Sequence, residues 1–314
     1  MWKPKQLLVV LALASCTTSC QAQRQLSPEG AARQAVIAEI KSVQQSLGFE
    51  PTRNFLRQSE DTEAVYRCYY TQKFELPETY EGLRLREGTR DGCALDETKY
   101  DVFFYPVEAV ASGDAQVTGS LSQASEERLA VVVSHEDFHN QDSLQELPEA
   151  MHEAAATLVG FLTAAEYARE KSGAGSDQHE RVSREAETFL RKSEIVNAYH
   201  AKTSLLYESL RQGMLSETAA LKGKKEIFDD LFKECSAVEP APATFNRCPP
   251  VLNNAALAFD HTYTKDYPLL YDLYLACKSD LKSTMEVLAS LAARKELSQQ
   301  EAERALRDFI DNAR

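Results

Sequence analysis

Six consecutive residues, Ser134-His135-Glu136-Asp137-Phe138-His139, carry the strongest chemical signal in this chain. On a helix, side chains four apart lie on one face a turn above one another, so the imidazoles of His135 and His139 can converge on a single ion. Glu136 sits about 100° round from His135, beside such an ion instead of on it. From there its carboxylate can take a proton from a metal-bound water, which makes Glu136 the candidate general base. With 6 His in 314 residues, a chance His-Glu-x-x-His has odds on the order of one in a hundred.

A catalytic zinc centre keeps three protein ligands and an open fourth position. The third ligand is expected at Glu153, in Leu147-Pro148-Glu149-Ala150-Met151-His152-Glu153. Pro148 suits a first helical turn, and Ala154-Ala155-Ala156-Thr157 are small enough to let two helices approach closely. The spacing is similar to that of zincins whose third ligand is a glutamate. His135, His139 and Glu153 are therefore expected to hold Zn2+. His152 is expected to support the site without ligating, since a fourth ligand would close the catalytic position. His179 and His200, among charged neighbours in helical patterns, are read as surface or hydrogen-bonded core residues.

The elements that must position these groups are legible from periodicity. Ala35, Ile37, Ile40, Val43 and Leu47 have helical spacing over about Pro28 to Leu47. Runs rich in Tyr, Phe and Val, Ala64 to Phe74 and Tyr100 to Val107, predict strands separated by Gly82, Gly88 and Gly92. Ser125 with Glu126 and Glu127 marks a helix start, and the chain beyond it reads helical except near Gly173 to Ser176 and Ala237 to Asn253. Ser298-x-x-Glu301 is a capping box opening the last helix. The expectation is an α+β protein: a small N-terminal sheet, then a mainly helical zincin-like body carrying the metal-binding helix. Residues 23–314 read as a single domain, with an α/β part over 23–124 and a helical part over 125–314.

The first 22 residues stand apart from that fold. Lys3 and Lys5 precede an apolar run from Leu7 to Ala14 that is too short for a permanent membrane span, and then Leu13-Ala14-Ser15-Cys16 resembles a lipobox. Cys16 is the expected lipidation site, giving a membrane-anchored protein of the bacterial cell envelope that faces the periplasm. Cleavage near Ala22 would instead release a secreted chain. Export permits disulfides, and sequence proximity favours Cys68 with Cys93 and Cys235 with Cys248. A net charge of -13 argues against nucleic acid as a partner, because no basic stripe is present to displace phosphate counterions.

Beyond the metal motif, several segments resemble a bacterial zinc aminopeptidase family of the gluzincin type, many of whose members carry lipoprotein signals. Tyr66-Arg67-Cys68-Tyr69-Tyr70 is similar to the family's Tyr-Arg-Gly-Tyr-Phe, and Tyr100-Asp101-Val102-Phe103-Phe104-Tyr105-Pro106-Val107 to its strand before the metal helix. Arg128-Leu129-Ala130 leads into His135-Glu136 as that helix does. Asn253-Asn254-Ala255-Ala256-Leu257, Thr262-Tyr263 and Pro268 match a late block. The likeness runs through most of the mature chain in the family's order. It implies a zinc-dependent peptide hydrolase, an aminopeptidase, with His135, His139 and Glu153 as ligands and Glu136 as base. Tyr263, in the late block, is the candidate oxyanion donor, with His261 as its rival.

Three departures concern the substrate side. Asp137-Phe138 replaces small apolar residues, His152 replaces an Asn, and Val110-Ala111-Ser112-Gly113-Asp114 replaces Tyr-Ser-Thr-Leu-Gly. An extra carboxylate at Asp137 beside the site suggests the alternative of a catalytically inactive, zinc-stabilised binding lipoprotein. A peptide substrate could lie along the Val102 to Val107 strand. Its α-ammonium could meet Glu108, Asp114 or Glu149.

Overall fold

A computed structural model describes residues 27–59, 65–109, 112–249 and 251–313. The expected export segment, with Cys16, Cys20 and Ala22, lies outside the described residues. The fold is α+β, dominated by helix, with one small antiparallel sheet.

Helix α1 (Pro28–Ser46) opens the fold, its Ser27 cap accepting from the Gly30 amide at 3.1 Å. The sheet comes next as β1 (Tyr66–Gln72), β2 (Arg84–Gly88) and β3 (Tyr100–Pro106). Its order is β2-β1-β3, with Cys68 opposite Arg86 on one side and Phe104 on the other. The expected strands correspond to β1 and β3. Strand β2 was not expected, because Arg84-Leu85-Arg86-Glu87 is exposed and shows no apolar alternation. Charge on such an edge discourages pairing with other chains. A disulfide joins Cys68 to Cys93 just beyond β2, and a second joins Cys235 to Cys248.

The remaining helices are α2 (Gly119–Ser122), α3 (Glu126–Phe138), α4 (Glu149–Ser172), α5 (Asp177–Ser183), α6 (Glu185–Arg211), α7 (Glu217–Ser236), α8 (Asn254–Thr264), α9 (Tyr267–Ala276), α10 (Leu281–Ala292) and α11 (Gln299–Ala313). Pro148 is the N-cap of α4 and not part of its first turn. Ser298 and Glu301 exchange the two hydrogen bonds of a capping box, at 3.0 and 3.4 Å.

One hydrophobic core runs from Ile37 on α1 through α3 and α4 to Ile310 on α11. Thus the segments before and after residue 125 share a single interior. The aromatic face of the sheet, Tyr69 and Phe103, packs on Ala255, Ala256 and Ala258 of α8, where small side chains leave room for the rings. Buried Asp101 on β3 anchors this layer by accepting from Lys73, Lys224 and the Asn254 amide, the first and last at 2.8 and 2.9 Å. Among the described residues, no helix is long and apolar enough to cross a membrane.

Candidate metal centre

Helices α3 and α4 make the site by lying unusually close. Ala154, Ala155 and Ala156 of α4 are fully buried. One turn further on, a β-carbon at Gly160 would stand 2.9 Å from the Val131 carbonyl oxygen, so only glycine allows this approach. Ser125 caps α3 through the Arg128 amide at 3.1 Å and sets where its turns begin.

With the helices so placed, His135 in the last turn of α3, His139 at its C-cap and Glu153 in α4 meet. The two imidazole Nε2 atoms are 3.1 Å apart, and Glu153 Oε2 is 3.2 Å from one and 3.3 Å from the other. A tetrahedral zinc held by such donors at about 2.0–2.1 Å sets them roughly 3.3–3.4 Å apart, so the triangle fits. Glu153 Oε2 is buried and has no hydrogen-bond partner among the described residues. Bare lone pairs at this spacing repel one another, so the three atoms are held together by protons on the imidazoles or by a cation between them. Burial alone would raise the Glu153 carboxyl, but His135 and His139 pull it well below the usual carboxylate range.

The surrounding shell holds the donors in place. Thr157 Oγ1 gives its proton to the Glu153 carbonyl at 2.8 Å and lies 3.5 Å from His135 Nδ1, where it can accept. A proton on Nδ1 leaves Nε2 as the lone-pair nitrogen facing the cluster. Tyr80 donates its phenol to Glu149 Oε1 at 2.6 Å and lies 3.1 Å from Glu153 Oε1, so it braces the carboxylate from the outer side. No sequence signal pointed to Tyr80. His152 is not one of the three donors; its ring packs edge-on to His139 with centroids 4.6 Å apart. Burial pushes the His152 imidazole down to about 3.

Glu136 is half-buried on the wall of a cavity of about 720 Å³ that also reaches His135 and Tyr263. Burial, reinforced by Glu153 and Asp137, raises its carboxyl to about 7 against the opposing pull of His139. Tyr263 is half-buried in the same wall, its ring 6.1 Å from that of His135, and desolvation of its phenol holds it well above the ordinary value. His261 is not in this cavity. It stacks on His200 at 3.7 Å and donates from Nδ1 to the Glu78 carbonyl at 2.7 Å.

With Glu78, those two histidines form a second group of possible ligands. Their rings are parallel within 6°, whereas His135 and His139 are tilted by 71°. In-plane lone pairs of parallel stacked rings run side by side and do not converge, so this pair is a packing element. His200 and His261 brace the chain before Tyr80 through the Pro77 and Glu78 carbonyls.

Asp137 does not stand beside the cluster, contrary to the sequence expectation. It is fully buried on the opposite side of α3, where Lys41 reaches it at 2.7 Å and Thr52 and Asn54 donate to its other oxygen. The reason for expecting an inactive site at Asp137 is thereby removed. Of the carboxylates considered for an amine, Glu108 lines the cavity but is paired with Arg128, and exposed Asp114 pairs with Arg57. Glu149 adjoins the cluster through Tyr80.

A family model described as "Putative aminopeptidase" matches residues 94–305. No curated protein and no solved structure matches the chain.

Proposed function

The chain belongs to the "Putative aminopeptidase" family, and on that footing we propose that it is a zinc-dependent aminopeptidase with His135, His139 and Glu153 as ligands and Glu136 as general base. The observation that carries this reading is the triangle of two imidazole nitrogens and one buried, unpartnered carboxylate oxygen, all within 3.3 Å. A zinc ion held there supplies Lewis acidity, activating water and polarising the scissile carbonyl.

The chain's own groups do the rest. Glu136, titrating near neutrality, takes a proton from the attacking water and passes it to the departing amine. Tyr263 keeps its proton and donates a hydrogen bond to the developing oxyanion without adding charge. Strand β3 is one of the two edges of the sheet and lines the cavity through Phe103 to Pro106, so an extended peptide can pair with its backbone. Glu149 receives the substrate's α-ammonium. The protein works at the bacterial cell envelope, facing the periplasm as a lipoprotein anchored through Cys16, or secreted if cleaved near Ala22. Its two disulfides suit an oxidising compartment.

The test is elemental analysis of the mature protein with hydrolysis assays before and after chelation. One zinc per chain, loss of aminoacyl-arylamide hydrolysis on chelation and recovery with added zinc are the expected results. Hydrolysis that survives complete metal removal would overturn the reading. The bracing of Glu153 by Tyr80 makes a further prediction. Tyr80→Phe should weaken zinc about 10-fold or more in competition against a chromophoric chelator, the range seen when a partner of a metal ligand is lost. Unchanged affinity would remove Tyr80 from the site.

A further inference from the structure

The cavity does not stop at Glu136 and Tyr263. It continues to Phe161, Phe189 and Phe245, whose ring centroids lie 5.1–5.4 Å from one another. Aromatic pairs at this spacing form a preformed apolar floor with little rotamer freedom to lose on binding.

Among the described residues, every cation on the lining is already matched. Lys192 meets Asp260 at 2.8 Å and the Asn246 carbonyl at 3.2 Å, while Arg128 meets Glu108 and, at 2.9 Å, the Thr244 carbonyl. An acidic side chain entering here would lose its water and find no free countercharge, and a basic one could reach Asp260 and Glu108 only beside the Lys192 and Arg128 already paired with them, both of which are costly. A neutral, bulky ring would instead exchange water for aromatic contact.

The wall bearing Phe245 is built to stay in place. Buried Glu185 accepts from the Ala243 and Thr244 amides, both at 3.0 Å, and from the Thr244 hydroxyl. The same loop is stapled by Cys235–Cys248 and held by Arg128 and Lys192 through its carbonyls. Rigid support of this kind lets a pocket discriminate by shape.

Resting on the hydrolase reading above, we propose that this cavity selects substrates with a large uncharged aromatic side chain beside the scissile bond, and that Phe245 is its size-determining residue. The pocket is about 720 Å³ in all, which suits a single ring together with the adjoining peptide backbone.

The experiment has two arms. Zinc-loaded enzyme is assayed on phenylalanyl, alanyl, lysyl and aspartyl arylamides, and calorimetry measures binding of phenylalaninamide and lysinamide to the zinc-loaded Glu136→Gln variant. Expected are a kcat/KM for the phenylalanyl substrate at least about 100-fold above the charged ones, and binding of phenylalaninamide at least about 10-fold tighter than lysinamide. In Phe245→Ala the phenylalanyl-to-alanyl ratio should fall about 10-fold, the loss expected for an emptied apolar contact. A thermal melt separates this change from unfolding. A flat profile, or a preference for charged side chains, overturns the proposal. Absence of hydrolysis with any peptide would sink the enzymatic reading, and the binding arm would still decide the pocket's preference.

Discussion

Glu136→Gln should retain its zinc and lose peptide hydrolysis by about 1000-fold in kcat, within the 10²–10⁴ range for removal of a positioned general base. The amide matches the carboxylate in size but cannot accept the proton. Glu136 is absent from the His135, His139 and Glu153 donor group, so metal content should remain at the wild-type stoichiometry. Elemental analysis alongside steady-state kinetics checks both halves. The shift of the Glu136 carboxyl to about 7, caused first by burial, places it where a proton can be both taken and returned near neutral pH. A variant turning over within about 10-fold of wild type would remove Glu136 as base, because that loss falls below the usual contribution of such a group. Retained turnover without zinc would remove the metal as well.

The second large effect should appear in stability. Asp137→Ala is expected to destabilise the fold by about 3 kcal/mol, the low end for breaking a buried pair, because it leaves a largely buried cation with only the Thr52 hydroxyl at 2.9 Å after its one salt-bridge partner among the described residues is removed. Lys41 is 13% exposed at its side chain and lies 2.7 Å from Asp137 Oδ2. The Thr52 hydroxyl and Asn54 amide lose an acceptor at the same time. This network ties α1 to the back of α3, on the side opposite the donor triangle. Combining Asp137→Leu with Lys41→Met should recover most of the loss, since two matched apolar groups can replace a buried ion pair at little net cost. Urea unfolding of the zinc-free proteins measures both variants. A loss below about 1 kcal/mol for Asp137→Ala, an ordinary surface-scale effect, would mean that this pair does not hold the helices together.

The direction of Asp137, away from the donor triangle, was implicit in the helix itself. Two residues beyond His135 is about 200° of rotation, nearly the opposite face. Its charge suggested a place beside the ion, and its angle decided otherwise. The edge strand β2 was hidden for another reason: Arg84-Leu85-Arg86-Glu87 pairs through its backbone while its side chains stay in water, so no apolar periodicity marks it. The loop over 237–253 was recognisable as irregular from its prolines, but its role as a cavity wall was not. That role depends on Glu185, Arg128 and Lys192, which lie 54 to 116 residues away from the atoms they bind.

By itself, the sequence determined the motif-bearing helix, the one-turn stacking of His135 and His139, the sideways place of Glu136, and the small residues that let a second helix come near. These are consequences of the helical repeat, which constrains every residue within a turn or two. Tertiary structure decided that Glu153 closes the triangle at 3.2–3.3 Å, that Tyr80 braces it from 73 residues away, and that Phe161, Phe189 and Phe245 floor one cavity. Such meetings depend on how whole elements pack around a shared core, and no local period encodes that distance.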